Sequence, residues 1–419
     1  MKFATLGELS LAAWIKPGDT VVWGQSYAEP TALTRALMEQ REHIGGFRVF
    51  LGIASYPTCT PEHSDCVQFV SYCAAGFNAS LAAAGCLSLL PLHYSRLGEA
   101  LRTGPLRADV VMVQVAPQDE DGCFSLSLAH EYLIPALEAA RVVIVEVNAQ
   151  APRLASPFRL RPERIDVAIH TDRPILEPAR ADSGAVENAI AQHIAARVPD
   201  GAVLQTGIGS IPDSVLEALA HHRDLGVHSG SIGNGVIDLI QCGAVTNARK
   251  TMDAGLAVGG VFLGGGAART FAQGNPMLSM RSSEYTHDAQ VLARIDRFVS
   301  INSAIEVDLS GQVNTETIGD RYVGAVGGVL DFHRGAQNAK DGLPIIALPA
   351  TSKGRSRIVS TLAGPATISR SDVGLIVTEH GMVDLRDLTL DQRRVTLISI
   401  AAPEHRERLA FESRGKGAS

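Results

Sequence analysis

The sequence predicts an α/β fold of two domains with largely parallel sheets. Short β-branched apolar runs alternate with Ala/Leu-rich stretches along the whole chain, as layered strands and helices do. The expected strands are nearly all apolar, the pattern of strands covered on both faces. A chain of 419 residues with 46% hydrophobic residues is long enough to bury two cores.

In chain order, T-V-V-W at Thr20 to Trp23 opens the alternation as a strand, and Pro30 to Met38 follows as a helix with proline at its start. Strands are expected at Phe47 to Ile53, Val110 to Val115 and Val142 to Val147, with a helix at Leu133 to Ala140 between the last two. A Pro/Arg-rich region, Ala151 to Arg180, interrupts the alternation and sets the domains at residues 1–180 and 181–419. Beyond it come a helix at Ala185 to Ala196, a strand at Ala202 to Leu204, a helix at Ser214 to Ala220 and a strand at Val258 to Phe262. Strands at Ile345 to Ala347 and Val373 to Val377 and a helix at Leu390 to Ala401 complete the pattern. Gly274 to Asp288, with N-P, S-S and T-H-D punctuation, is expected to be a long loop, either a lid over a substrate or a plain surface connection.

Lys plus Arg is 37 and Asp plus Glu is 44, with no Lys/Arg-rich run, so a nucleic-acid partner is not expected. No run reaches the ~18 apolar residues of a membrane span, and Met1 to Trp14 lacks the basic start and apolar core of a secretion signal. A soluble, cytoplasmic protein is expected. Cys59, Cys66, Cys73, Cys86, Cys123 and Cys242 show no paired C-x-x-C spacing and are expected to be free thiols. Cys59, Cys66 and Cys73, with His63 between them, are evenly rather than tightly spaced, so no metal site is expected.

Chemistry concentrates in the second half. Ala202 to Leu219, A-V-L-Q-T-G-I-G-S-I-P-D-S-V-L-E-A-L, reads as strand, Gly-rich turn and amphipathic helix, whose first N–H groups favour an anion. A dinucleotide fingerprint wants glycine where Pro212 stands, so a Rossmann turn is disfavoured. Further motifs are P-Q-D-E-D-G at Pro117 to Gly122, E-V-N-A-Q-A-P-R at Glu146 to Arg153, D-L-I-Q-C-G-A-V-T-N at Asp238 to Asn247, the segment from Ile301 to Ala336, and V-T-E-H-G-M-V-D-L-R at Val377 to Arg386.

Taken together and in order, these motifs resemble the acetyl-CoA hydrolase/transferase family, which includes the 4-hydroxybutyrate and acetate CoA-transferases. The resemblance implies two similar α/β domains facing a central cleft that binds a short-chain acyl-CoA, and a homodimer. It implies CoA as a substrate, no tightly bound cofactor, and a carboxylate acceptor. Gly207, Ile208, Gly209, Ser210 and Ile211 would bind CoA, as would Lys353 in T-S-K-G-R, whose alternative is a solvated loop lysine. The family's attacking glutamate lies in a T-E-M-F-S-D-G-like segment, where it becomes a glutamyl-CoA thioester; such covalent catalysis divides one acyl transfer into easier steps. Here Ser229-Gly230-Ser231-Ile232-Gly233-Asn234-Gly235 stands in its place, so Gly230 takes the glutamate's position. The family's oxyanion turn, G-G-Q, becomes Gly327-Gly328-Val329, keeping the glycines and dropping the amide.

Glu306, Glu316 and Glu379 fall where the family also carries glutamate and are expected to hold structure. Ser229 and Ser231 need an oriented histidine to attack, and His228, adjacent on an extended strand, points to the other face. His221 and His222 are expected to close a helix, and His333 and His380 to be structural or rim residues. Three readings remain: a CoA-transferase that avoids the glutamyl-CoA route, a hydrolase placing water in the space left beside Gly230, and an inactive CoA-binding homologue.

Overall fold

Seven parallel pairings build one sheet whose six inner strands are buried along most of their length. The structure is a computed structural model that describes residues 1–178 and 184–413. Contacts divide the chain into two units. The first comprises Met1–Pro178, Ile232–Asn234 and Val258–Thr286; the second comprises the described residues of Ala179–Ser231, Gly235–Ala257 and His287–Ser419. The expected boundary between residues 180 and 181 lies outside the described residues.

In the first unit the eight-stranded sheet runs in the order Lys2–Phe3, Val167–Thr171, Val142–Asn148, Val110–Val115, Thr20–Trp23, Phe47–Leu51, Val67–Ser71 and Leu87–Leu89. Every adjacent pair is parallel. Val110–Val115 and Val142–Asn148 are buried at every position, which explains why their sequences show no polar alternation. The polar residues within them are paired. Asn148 Nδ2 donates to Gln114 Oε1 at 2.9 Å, and Glu146 accepts from Ala32 N–H, Thr171 Oγ1 and the Arg173 guanidinium. A buried carboxylate needs that partner and those donors. Helix Thr31–Ile44 lays Leu33, Leu37 and Met38 on the core and ends at Gly45, whose φ of 86° no β-branched residue adopts readily.

The second unit is built on a six-stranded sheet in the order Gly226–Val227, Val203–Thr206, Phe298–Ser303, Leu343–Ala347, Leu375–Thr378 and Gly381–Asp384, antiparallel only at the last pair. Val203, Leu292, Ile295, Phe298, Phe332 and Ala336 form one apolar cluster. Burying a side chain such as Phe298 stabilises the fold by roughly 1.5–3 kcal/mol.

Two expectations are corrected. Gly274 to Asp288 is not a long surface loop: it carries strand Leu278–Met280 and helix Ser283–Thr286, and Met280, Ser283, Thr286 and His287 are buried. Its polar punctuation acts as local capping, with Ser282 Oγ accepting from Glu284 N–H at 3.2 Å and Asn275 Oδ1 from Met277 N–H at 2.9 Å. The helix expected at Ser214 to Ala220 spans Ser210–Ala218, so His221 and His222 lie beyond it; His222 Nε2 sits 3.1 Å from the Val198 carbonyl oxygen instead. The six cysteines are free, and among the described residues no helix is long and apolar enough to cross a membrane.

Candidate active site

Parallel strands of the second unit end on a common edge, and the loops leaving them carry the expected binding residues. Strand Val203–Thr206 gives way to Gly207-Ile208-Gly209, and Gly209, with φ of 126°, is the N-cap of helix Ser210–Ala218. Gly207 N–H donates to the Ile301 carbonyl oxygen at 2.9 Å, tying the turn to the neighbouring strand. Beneath it lies a closed polar set: Ser300 Oγ and Asn302 Nδ2 both donate to Gln205 Oε1, at 2.8 and 2.9 Å. A Cβ on Gly207 would approach Asn302 Oδ1 to 3.3 Å, so glycine keeps the turn against that set. Ile208 is 60% exposed at the tip, and Ser210 and Ile211 form the first helical turn, where N–H groups have no partner inside the helix.

Beyond the end of Leu343–Ala347, the hairpin of Thr351–Ser352 and Arg355–Ser356 carries exposed Lys353 at its tip, with φ of 51°. Ser229 is buried, and its hydroxyl donates to the Thr206 carbonyl oxygen at 3.2 Å. Glu316 accepts from Tyr322 Oη and Thr367 Oγ1, and Glu379 accepts from Ala350 N–H, so both carboxylates hold backbone and hydroxyl groups in place. Glu306 lies in strand Glu306–Asp308. His333 is buried and takes a hydrogen bond from Gly374 N–H at 3.1 Å through Nε2. His380, exposed, donates its backbone N–H to Thr378 Oγ1 at 3.1 Å.

Gly230 and Gly328 meet across a residue that sequence reasoning missed. A Cβ built on Gly230 would point at the His287 ring, 3.2 Å from Cε1 and 3.3 Å from Nε2. A Cβ on Gly328 would lie 2.6 Å from Nε2 of the same imidazole. The space expected to be vacant beside Gly230 is thus walled by an imidazole on the side a side chain would enter. Phe332 stacks obliquely on His287, ring centroids 4.4 Å apart at 46°, and Phe298 lies behind Phe332. His287 is 4% exposed, and burial, with His228 adding to it, pushes its pKa down to about 3. It is therefore neutral near pH 7. Gly327, with φ of 52°, turns the chain so that Gly328 becomes the N-cap of helix Val329–Asn338. Nothing but T-H-D in a stretch read as loop marked His287 in the sequence.

In the first unit, Pro117, Gln150, Arg153 and Arg269 are among the residues lining a cavity of about 580 Å³, which brings parts of two motifs together.

Residues 1–171 match the acetyl-CoA hydrolase/transferase N-terminal domain, and residues 267–413 match the C-terminal domain. The 4-hydroxybutyrate coenzyme A transferase of Clostridium kluyveri is 34% identical over 406 residues, 95% of this chain and 94% of that protein. The succinyl-CoA:cyclohexane-1-carboxylate CoA transferase of Geobacter metallireducens is 34% identical over 96% of this chain and 93% of its own length. The crystal structure of RipA from Yersinia pestis superposes with a TM-score of 0.94 at 31% identity, covering 99% of this chain and 97% of that one.

Proposed function

The chain belongs to the acetyl-CoA hydrolase/transferase family, and from that premise we propose that it binds a short-chain acyl-CoA and acts on the thioester without a glutamyl-CoA intermediate. The observation that carries the reading is the surrounding of Gly230, the position that the resemblance gives to the attacking glutamate. It offers no carboxylate, and the direction its side chain would take leads into a buried imidazole 3.2 Å from the Cβ position. The turn Gly207-Ile208-Gly209, with Ser210 and Ile211, receives CoA as a substrate through helix N–H groups, and Lys353 adds a positive charge.

With no attacking side chain, the nucleophile comes from outside. A carboxylate acceptor adds to the thioester carbonyl and expels CoA thiolate, giving a mixed anhydride. The thiolate then attacks the acceptor's carbonyl carbon, releasing the donor's carboxylate and a new acyl-CoA. Water in the same place gives free acid and CoA, the hydrolase reading. Gly327 and Gly328, at the start of helix Val329–Asn338, present N–H groups where oxyanion charge would develop. The same family reading carries a cytoplasmic homodimer.

Incubating the purified protein with acetyl-, propionyl- and butyryl-CoA, with and without a carboxylate acceptor, tests the proposal. Acceptor-dependent exchange identifies a transferase, and release of CoA without acceptor identifies a hydrolase. Binding of acyl-CoA with neither outcome would overturn the catalytic reading and leave a CoA-binding homologue.

A further inference from the structure

We propose that the first unit binds a short-chain monocarboxylate, its carboxylate on the Arg153 guanidinium and its apolar tail in the pocket beside Phe124 and Val147. The assignment stands on first-unit residues alone and holds whether or not the thioester reading does.

Two cavities adjoin at the carboxyl edge of the eight-stranded sheet. The larger, about 580 Å³, lies beyond the ends of Val110–Val115 and Val142–Asn148, with Ala116, Pro117, Ala149 and Gln150 in its wall. The smaller, about 110 Å³, shares Pro117 and Ala149 with it and is lined at depth by Phe124 and Val147, both buried. Phe3, 54% exposed, also lines the smaller pocket and stacks on His170 with ring centroids 4.7 Å apart. Open parallel sheets bind ligands beyond the carboxyl ends of their strands, near the place where the strand order reverses. Here the order reverses between Thr20–Trp23 and Val110–Val115, next to the larger cavity.

Arg153, Arg269 and Glu177 are the charged side chains of the larger cavity. Arg269 is committed, paired with Glu177 and donating to the carbonyl oxygens of Ile175 and Leu176. Arg153 has no carboxylate partner among the described residues. Its Nη2 donates to the carbonyl oxygens of Gln118 at 2.9 Å and Pro117 at 3.4 Å, and its Nε is buried with no hydrogen-bond partner. A guanidinium stays charged and carries an N–H on every nitrogen, so this cation keeps donors that the fold does not use. The cavity thus holds one positive charge in excess, and the Pro117 contact sets that charge against the wall the two cavities share.

That neighbourhood selects a ligand with two ends. A carboxylate matches the planar guanidinium and gains a charge-assisted hydrogen bond. A short apolar tail gains burial against Phe124 and Val147 and covers part of Phe3. Inorganic phosphate uses the charge alone, an alcohol of the same length uses the pocket alone, and an amine is repelled. A long acyl chain exceeds a pocket of about 110 Å³.

The probe is 4,4-azipentanoate, a short-chain acid with a photoreactive diazirine in its tail. It is irradiated with the full-length protein in the absence of acyl-CoA, and adducts are mapped by peptide mass spectrometry. Specific labelling is the part that excess butyrate removes. The expected result is specific adducts on Phe3, Gln118, Phe124 or Thr171, removed by butyrate and left in place by equal concentrations of butanol, butylamine or inorganic phosphate. Arg153→Met, which keeps the packing of the stem, should bind the probe about 10- to 100-fold more weakly, the range for one charge-assisted hydrogen bond. Ala149→Leu, which narrows the shared wall and leaves Arg153 in place, should lose labelling by at least tenfold. Specific adducts confined to other segments overturn the inference, as does their absence. Displacement by butanol or phosphate as effective as by butyrate overturns it too. If Arg153→Met does not fold, as circular dichroism would show, Ala149→Leu decides, and undiminished labelling of that variant contradicts the assignment.

Discussion

His287 and Gly328 are so close that a single methyl group on the glycine would stand 2.6 Å from the imidazole Nε2. Real contacts of that kind do not occur, so Gly328→Ala must push a buried ring out of place. We expect a loss of about 1–3 kcal/mol in stability, the usual cost of overpacking, with a fall in turnover. Gly230→Ala meets the same ring at 3.2 Å, which a shift of a few tenths of an ångström relieves, and should cost under about 1 kcal/mol. Urea unfolding of both variants checks the order; equal losses would contradict it.

Restoring the carboxylate should require removing its obstacle. In Gly230→Glu the new side chain enters the space that the His287 edge walls. Exchange between acyl-CoA and a carboxylate is therefore expected to rise more in the double variant Gly230→Glu/His287→Ala than in Gly230→Glu alone. A covalent CoA adduct on the double variant, read as a gain in intact-protein mass, would accompany it. Full exchange from Gly230→Glu alone would show that the imidazole yields freely.

Acid should weaken the second unit through its buried histidines. Burial holds His287 at about 3 and His333 at about 4, against an ordinary value near 6.5. The folded state binds fewer protons than the unfolded chain, so stability is whole above about pH 6.5 and is lost as pH falls toward 4 and 3. At pH 5 the loss is about 2 kcal/mol per histidine. His287→Gln should flatten the decline in urea midpoint between pH 7 and pH 5. An unchanged decline would mean that His287 protonates in the folded state as readily as in the unfolded one.

Glu131 works in the opposite direction in the first unit. Burial pushes its carboxyl up to about 8, and Gln25 Nε2 donates to Oε1 at 3.0 Å. Between about pH 4.5 and 8 the folded state binds more protons than the unfolded chain, so this contribution is present below 4.5 and lost as pH rises through 8. Glu131→Gln keeps an acceptor for Gln25 and removes the titration. Relative to wild type, its stability at pH 8 should exceed its stability at pH 4 by a few kcal/mol. The same difference at both pH values would contradict a buried neutral carboxyl.

What the sequence made legible was local. Thr20–Trp23 and Val110–Val115 stand where their apolar runs placed them, and the Gly207-Ile208-Gly209 turn leads into a helix because glycine spacing after a strand is itself the signal. Short or mixed strands escaped: Lys2–Phe3, Gly226–Val227 and Phe298–Ser303, the last hiding Ser300 and Asn302 inside a buried network that satisfies them. The approach of His287 to Gly230 and Gly328 was not legible. It joins three distant segments, no periodicity encodes such a meeting, and the residue sat in a stretch whose serines and asparagine cap short elements rather than mark an exposed loop.

Thioester chemistry without a glutamyl-CoA intermediate is read from the intact mass of the wild-type protein during turnover of acetyl-CoA. CoA or exchanged acyl-CoA should accumulate in solution while the protein mass stays unchanged, before and after borohydride treatment. A protein carrying CoA, with the adduct mapped to Glu306, Glu316 or Glu379, would contradict it and return the chain to a covalent route through another carboxylate.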